Sequence, residues 1–142
     1  MSLADRIPDG AAVVIDTNPI VYLLEANPLG DVFEPIFEHI DAGRIHAVVT
    51  PITVAEVLAG PIAAGDEALA ARYLRALTAS AGWSLREIDA EIAVLAARLR
   101  IRYRLKLPDA IQLAVALHED CFALVTHDRD FASVSEPPIL GA

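Results

Sequence analysis

The sequence predicts an α/β protein built on a parallel sheet of about five strands, with helices covering both faces. Three observations lead there. Short, nearly apolar runs rich in β-branched residues recur at Ala11–Ile15, His46–Thr50 and Cys121–Thr126, and such runs read as strands buried on both faces. Longer stretches with helical spacing separate them. Isolated acids stand directly after these runs or at the start of helical patterns, and ligands of α/β sheets bind beyond the carboxyl ends of the strands.

Each element follows from local chemistry. Ala11-Ala-Val-Val-Ile15 gives the first strand. Asp16-Thr-Asn18 then offers capping side chains, Pro19 is tolerated in a first helical turn, and Ile20, Val21, Leu23 and Leu24 continue that helix. Asn27-Pro-Leu-Gly30 breaks it. A second helix is expected from Asp31 to Ala42, with Val32, Ile36, Phe37 and Ile40 on one face and Gly43 ending it. After the strand His46–Thr50, a helix is expected from Pro51 to Leu58, stopped by Gly60-Pro61. Asp66 to Ala81 reads as a longer helix with Leu69, Tyr73, Leu74 and Leu77 inward. Trp83 to Ile88 is the third strand. Asp89 caps a helix carrying Ile92, Leu95, Ala96 and Leu99, and Pro108 opens another that reaches Glu119. Cys121–Thr126 is the fourth strand. A helical turn around Phe131 and a weak strand at Pro138-Ile139-Leu140 close the chain. No repeat, low-complexity segment or linker divides it, so residues 1–142 are expected to form one domain.

The composition narrows the class. The chain is 55% hydrophobic, against the usual ~45–50%. A very full core explains this, as does apolar surface that a partner covers. No apolar run approaches the ~18 residues of a membrane span, and Met1–Gly10 lacks the basic start and long apolar stretch of a secretion signal. Cys121 is the only cysteine, so no intramolecular disulfide or thiolate zinc site is written here. The chain reads as cytoplasmic. Its net charge of −9 disfavours nucleic-acid phosphates in bulk. Locally the balance reverses. Arg98, Arg100, Arg102, Arg104 and Lys106 are five of the 11 basic residues and lie just before Asp109. They read as a phosphate-gripping patch, or as cations at the end of a helix.

Four acids carry the chemistry: Asp16 in Val-Val-Ile-Asp-Thr-Asn, Glu56 in Thr-Val-Ala-Glu-Val-Leu, Asp109 in Leu-Pro-Asp-Ala-Ile-Gln, and Asp128 in Val-Thr-His-Asp-Arg-Asp-Phe. Singly, each has a plain structural explanation. Asp16 suits a helix cap, Thr53-x-x-Glu56 matches a capping box, Asp109 suits a helix start, and Asp128 and Asp130 suit a turn. Asp16 and Asp128 lie at the carboxyl edge of the predicted sheet, and helices that reach this edge would deliver Asp109 and Glu56 to the same point. Clustered carboxylates repel and raise one another's pKa, so such a group calls for a shared proton or a bound cation. Oxygen ligands point to a hard metal such as Mg²⁺ or Mn²⁺ and to phosphate chemistry.

The segments Val-Ile-Asp16-Thr-Asn-Pro-Ile-Val-Tyr-Leu, Thr53-Val-Ala-Glu56-Val-Leu, Leu-Lys-Leu-Pro-Asp109-Ala-Ile-Gln-Leu-Ala and Leu-Val-Thr126-His-Asp128-Arg-Asp130-Phe resemble the PIN-domain nucleases, and within them the VapC-type toxins of toxin–antitoxin pairs. The resemblance runs from Val13 to Leu140. It implies a three-layer α/β/α sandwich, a Mg²⁺- or Mn²⁺-dependent endoribonuclease, a homodimer, and a VapB-like antitoxin that blocks the site. His127 departs from the Asn frequent at its position, which puts the metal geometry in question more than the fold.

On this reading Asp16, Glu56, Asp109 and Asp128 hold one or two divalent ions, directly or through water, with Asp16 and Asp109 the foremost direct ligands. Thr17, Asn18, Thr126, His127 and Asp130 support them or the substrate. Arg102, Arg104, Lys106 and Arg129 grip RNA phosphate. An antitoxin helix is expected between the early helices, on walls from Ile20 to Leu24, Val32 to Ile40 and Val57-Leu58. A receiver-like signalling domain is disfavoured because the only lysine, Lys106, is on the wrong element, and an aspartyl phosphatase because Asp16-Thr-Asn18 lacks the second Asp. The remaining alternative is a PIN-fold protein that binds RNA or a partner without cutting.

Overall fold

The computed structural model describes all residues from Met1 to Ala142. Five strands form one sheet in the order β3-β2-β1-β4-β5, every neighbouring pair parallel. They are β1 (Ala12–Ile15), β2 (His46–Val49), β3 (Trp83–Leu85), β4 (Ala123–Val125) and β5 (Ile139–Leu140). The helices are α1 (Thr17–Leu24), α2 (Glu34–Asp41), α3 (Pro51–Ala63), α4 (Glu67–Ala79), α5 (Ala90–Tyr103) and α6 (Leu107–His118). The expected α/β/α sandwich on a five-stranded parallel sheet is the observed one. No helix is long and apolar enough to cross a membrane.

Strand alternation sorts the core into two layers. Val13 and Ile15 point to one face, where Ala47, Val49, Ala123 and Val125 join Ile20, Phe33, Ile36, Phe37, Ile40, Val57 and Leu77. Val14 points to the other, where Val48 and Leu124 pack with Ile92, Ala96 and Leu99 of α5, the apolar side of α6, and Phe131. Burial on both faces is why these strands are continuous apolar runs.

Several boundaries differ from the sequence reading. The second helix begins at Glu34, after a 3₁₀ turn at Pro28–Gly30. Val32, expected inward, is half-exposed, and Phe33 is buried in its place. Leu74, also expected inward, is 40% exposed because Ala70 and Leu77 occupy the buried side of α4. Helix α3 continues through Pro61 to Ala63. Gly60 permits this, since a residue without Cβ relieves the usual clash with a following proline ring. Its N-cap is Thr50, whose hydroxyl accepts from the Thr53 amide at 3.4 Å. Thr53 and Glu56 therefore do not form the capping box that their spacing allows. A 3₁₀ turn at Leu3–Arg6, with its own Ser2–Asp5 capping pair, had no clear signal in the sequence.

The chain runs outward from β1 to β2 and β3, then returns to place β4 on the other side of β1. This reversal opens a crevice at the carboxyl ends of β1 and β4, the point where parallel sheets bind ligands. Asp16 follows β1 directly, and Thr126, His127 and Asp128 follow β4.

Candidate metal centre

Asp16 is the N-cap of α1 and only 6% exposed. Its Oδ1 accepts from the Thr17 amide at 2.9 Å and from Gln112 Nε2 at 3.1 Å. Its Oδ2 accepts from the Thr126 hydroxyl at 2.7 Å. A carboxylate has about four lone-pair sites, so capping and support still leave one lone pair on Oδ2. The capping explanation of Asp16 and its membership of the acidic centre therefore hold together.

The closest carboxylates are those of Asp109, Asp128 and Asp130, whose oxygens lie within 4.8 Å of one another. Asp109 sits in the first turn of α6, where the helix dipole favours an anion. Asp128 caps a 3₁₀ turn at Arg129–Phe131 by accepting from the Asp130 amide at 2.9 Å, and its own amide donates to Thr126 Oγ1 at 3.0 Å. Burial foremost, and then the charges of Asp128, Asp16 and Asp130, push the Asp109 carboxyl up to about 6, against a smaller opposing effect of Lys106. The repulsion on Asp109 is what a bound cation relieves, and every donor is a hard oxygen. The residues present thus fit Mg²⁺ or Mn²⁺.

Glu56 stands apart from that trio. It is exposed, and its Oε1 accepts from the Thr17 hydroxyl at 2.7 Å, so the residue next to Asp16 ties it to the rim. Asn18 Oδ1 accepts from the His127 amide at 3.1 Å, locking the start of α1 to the loop after β4. His127 Nδ1 lies 2.9 Å from the Tyr22 hydroxyl rather than among the acids. Lys106 Nζ is 3.9 Å from Asp130 Oδ2 with its side chain 81% exposed. Arg102 lies over the Tyr103 ring at 5.2 Å, Arg104 is the C-cap of α5, and Arg129 is exposed beside Asp128.

Gln112 is the residue that sequence reasoning passed over. It is 1% exposed and joins three elements. Its Oε1 accepts from Thr50 Oγ1 at 2.6 Å, while its Nε2 donates to Thr53 Oγ1 at 2.7 Å and to Asp16. The signal was present as a single polar residue within Ala110-Ile-Gln-Leu-Ala-Val-Ala116, three residues after Asp109 and hence on the same helical side.

Known proteins share this fold. The PIN domain family profile matches residues 13–137. Among solved structures, a toxin–antitoxin complex from Klebsiella pneumoniae has a chain 27% identical over 90% of this chain and 95% of its own, with a TM-score of 0.70. VapBC-1 from nontypeable Haemophilus influenzae is 19% identical over 90% and 96%, with a TM-score of 0.70. VapC20 of Mycobacterium tuberculosis, a toxin that cleaves the Sarcin-Ricin loop, is 16% identical over 87% and 95%, with a TM-score of 0.66. Among curated proteins, none matches in sequence. The parallel sheet, the acids gathered at its switch point and the match across most of the chain place this protein in the PIN-domain family.

Proposed function

We propose that this protein is a metal-dependent endoribonuclease and the toxin of a type II toxin–antitoxin pair. The observation that carries this is the gathering of Asp109, Asp128 and Asp130 beside the buried Asp16, with the Asp109 carboxyl raised to about 6. A protein that only binds RNA has no use for so repulsive a cluster.

Asp109, Asp128, Asp130 and Asp16 would hold the ion, and Glu56 the rim. A bound Mg²⁺ or Mn²⁺ supplies charge neutralisation and acidifies water for attack on phosphorus. The chain's own residues do the rest. Gln112 and Thr126 fix the Asp16 carboxylate in one orientation, and Thr17 does the same for Glu56. Thr126 also positions the Asp128 backbone. Arg102, Arg104, Lys106 and Arg129 draw single-stranded RNA toward an otherwise acidic surface. Hydrolysis by water leaves 5′-phosphate and 3′-hydroxyl ends, so cyclic 2′,3′-phosphate products overturn the mechanism.

The antitoxin is expected on an apolar groove of about 380 Å³ lined by Val21, Leu24, Val57, Leu69 and Tyr73, with Glu25 and Glu56 on its edge. Of the walls expected from sequence, Ile20, Ile36, Phe37 and Ile40 are taken up by the core. An amphipathic helix with a basic end suits a groove that leads to acids.

The test is cleavage of total RNA and purified tRNA with Mg²⁺, Mn²⁺ or EDTA, against Asp16→Asn prepared identically. Cleavage that needs metal and is lost in the variant supports the proposal. Equal cleavage by both proteins means contamination, and none by wild type with any RNA supports a binding protein.

A further inference from the structure

One side chain at the site has its hydrogen-bonding role set by a neighbour. The His127 imidazole meets the Tyr22 ring edge-on at 5.6 Å and the Phe33 ring edge-on at 6.0 Å. The Tyr22 hydroxyl lies 2.9 Å from Nδ1. The backbone is held as well, by the His127 amide on Asn18 Oδ1 at 3.1 Å. The surroundings are built to close limits. A Cβ on Gly30 would lie 2.8 Å from Tyr22 Cβ, and one on Gly141 would overlap the Phe33 ring and lie 2.6 Å from the Thr126 carbonyl oxygen. Neither approach tolerates a side chain, so both glycines serve to seat the Tyr22–Phe33–His127 group.

This arrangement has a chemical consequence. A phenol is a good donor, and the lone pair of a neutral imidazole is a better acceptor than a phenolic oxygen. Tyr22 therefore donates to Nδ1, and the proton of the neutral ring resides on Nε2. Nε2 makes no bond to the protein, and it is not among the buried unpaired polar atoms, which are limited to His39 Nδ1. It reaches solvent one residue before Asp128.

We infer that Tyr22 fixes the tautomer of His127 so that Nε2–H is a standing hydrogen-bond donor, offered to a phosphate oxygen of the RNA at the edge of the acidic centre. His127 contacts the substrate and Tyr22 is a positioning residue. The donor needs no positive charge on the ring, which distinguishes it from Lys106 and the arginines. The inference rests on the ribonuclease reading for the identity of its ligand, while the tautomer itself does not.

Two measurements test it. The first is ¹⁵N–¹H NMR of the histidines in the metal-free protein. Wild type is expected to show His127 with a protonated Nε2 and a bare Nδ1, and Tyr22→Phe to show a mixture of tautomers. A proton on Nδ1 in wild type overturns the inference whatever the activity. The second is cleavage of a fluorescein-labelled, mixed-sequence single-stranded RNA with Mg²⁺. His127→Ala should lower kcat/KM by roughly 3–10-fold, the net scale of one hydrogen bond in competition with water, and Tyr22→Phe, which keeps part of the Nε2–H population, by a smaller factor. The double variant should be no worse than His127→Ala. His127→Gln, whose amide donates without help, should recover most of the activity and make Tyr22→Phe silent. Additive losses, or a Tyr22→Phe effect that persists in the His127→Gln background, overturn the inference while leaving the nuclease reading intact. If wild type neither binds nor cuts RNA, the nuclease reading fails first and takes the assigned ligand with it.

Discussion

Gln112 donates to Asp16 Oδ1 at 3.1 Å from inside the core, across 96 residues of sequence. A neutral amide thus holds an acid proposed as a ligand of the metal centre, and two buried threonines hold the amide. Removing the amide takes one buried hydrogen-bond partner from each of Asp16, Thr50 and Thr53. Gln112→Met should cost on the order of 2–4 kcal/mol in urea denaturation. It should also lower metal affinity, read by Mn²⁺ titration. A cost below ~0.5 kcal/mol would mean that the network relaxes freely.

Asp109 links stability to pH. Its folded carboxyl is raised to about 6 from an ordinary 3.8, so the folded state holds a proton that the unfolded state has released. The stability that this provides is present below pH 3.8 and is lost as pH rises through 6. In EDTA, Asp109→Asn should therefore be more stable than wild type at about pH 7.5, by on the order of 1–2 kcal/mol once screening of a half-buried group is allowed for. The gain should vanish near about pH 4. Mn²⁺ should raise the wild-type Tm and leave the variant unchanged. Thermal melts across that pH range decide it.

Arg104 occupies the left-handed region, with φ 56°, at the turn between α5 and α6. Glycine suits that conformation better, so Arg104→Gly should stabilise the fold by about 0.5–1 kcal/mol. If the guanidinium grips RNA, the same change should weaken binding and shrink the salt slope by about 0.7 per lost phosphate contact. A stabilised variant with unaltered RNA binding would remove Arg104 from the patch.

Helix α5 leaves Ile101 84% and Val94 55% exposed. Residues this apolar, two turns apart on one helix, are expected to be covered by the second copy of a homodimer. Ile101→Asp should leave the thermal melt intact and convert a dimer to a monomer in light scattering. A wild-type monomer at high concentration would refute the dimer.

Apolar runs marked β1, β2 and β4 because strands buried on both faces admit little else, and Pro108 with Asp109 marked the start of α6 through helix-dipole chemistry. The errors fell where local rules compete. Gly60-Pro61 reads as a helix stop, yet the glycine removes the clash that would make it one. Thr53-x-x-Glu56 reads as a capping box, yet Thr50 caps α3, Thr53 turns inward to Gln112, and Glu56 turns to Thr17. Capping depends on a few neighbouring residues, but a side chain's choice between two partners depends on what the rest of the fold brings near it.

The parallel α/β architecture, the sheet edge that carries Asp16 and Asp128 and the hard-cation character of the acids are legible in short segments, because hydrophobic period, turn chemistry and ligand hardness are local properties. Long-range packing sets the rest: Asp130 joins Asp109 and Asp128 while Glu56 stays at the rim, and Gln112 and Tyr22 bond to Asp16 and His127. Those relationships join residues up to 105 positions apart. Their geometry is fixed by how β1 and β4 pair and by which side chains the two packed layers leave facing the crevice between them.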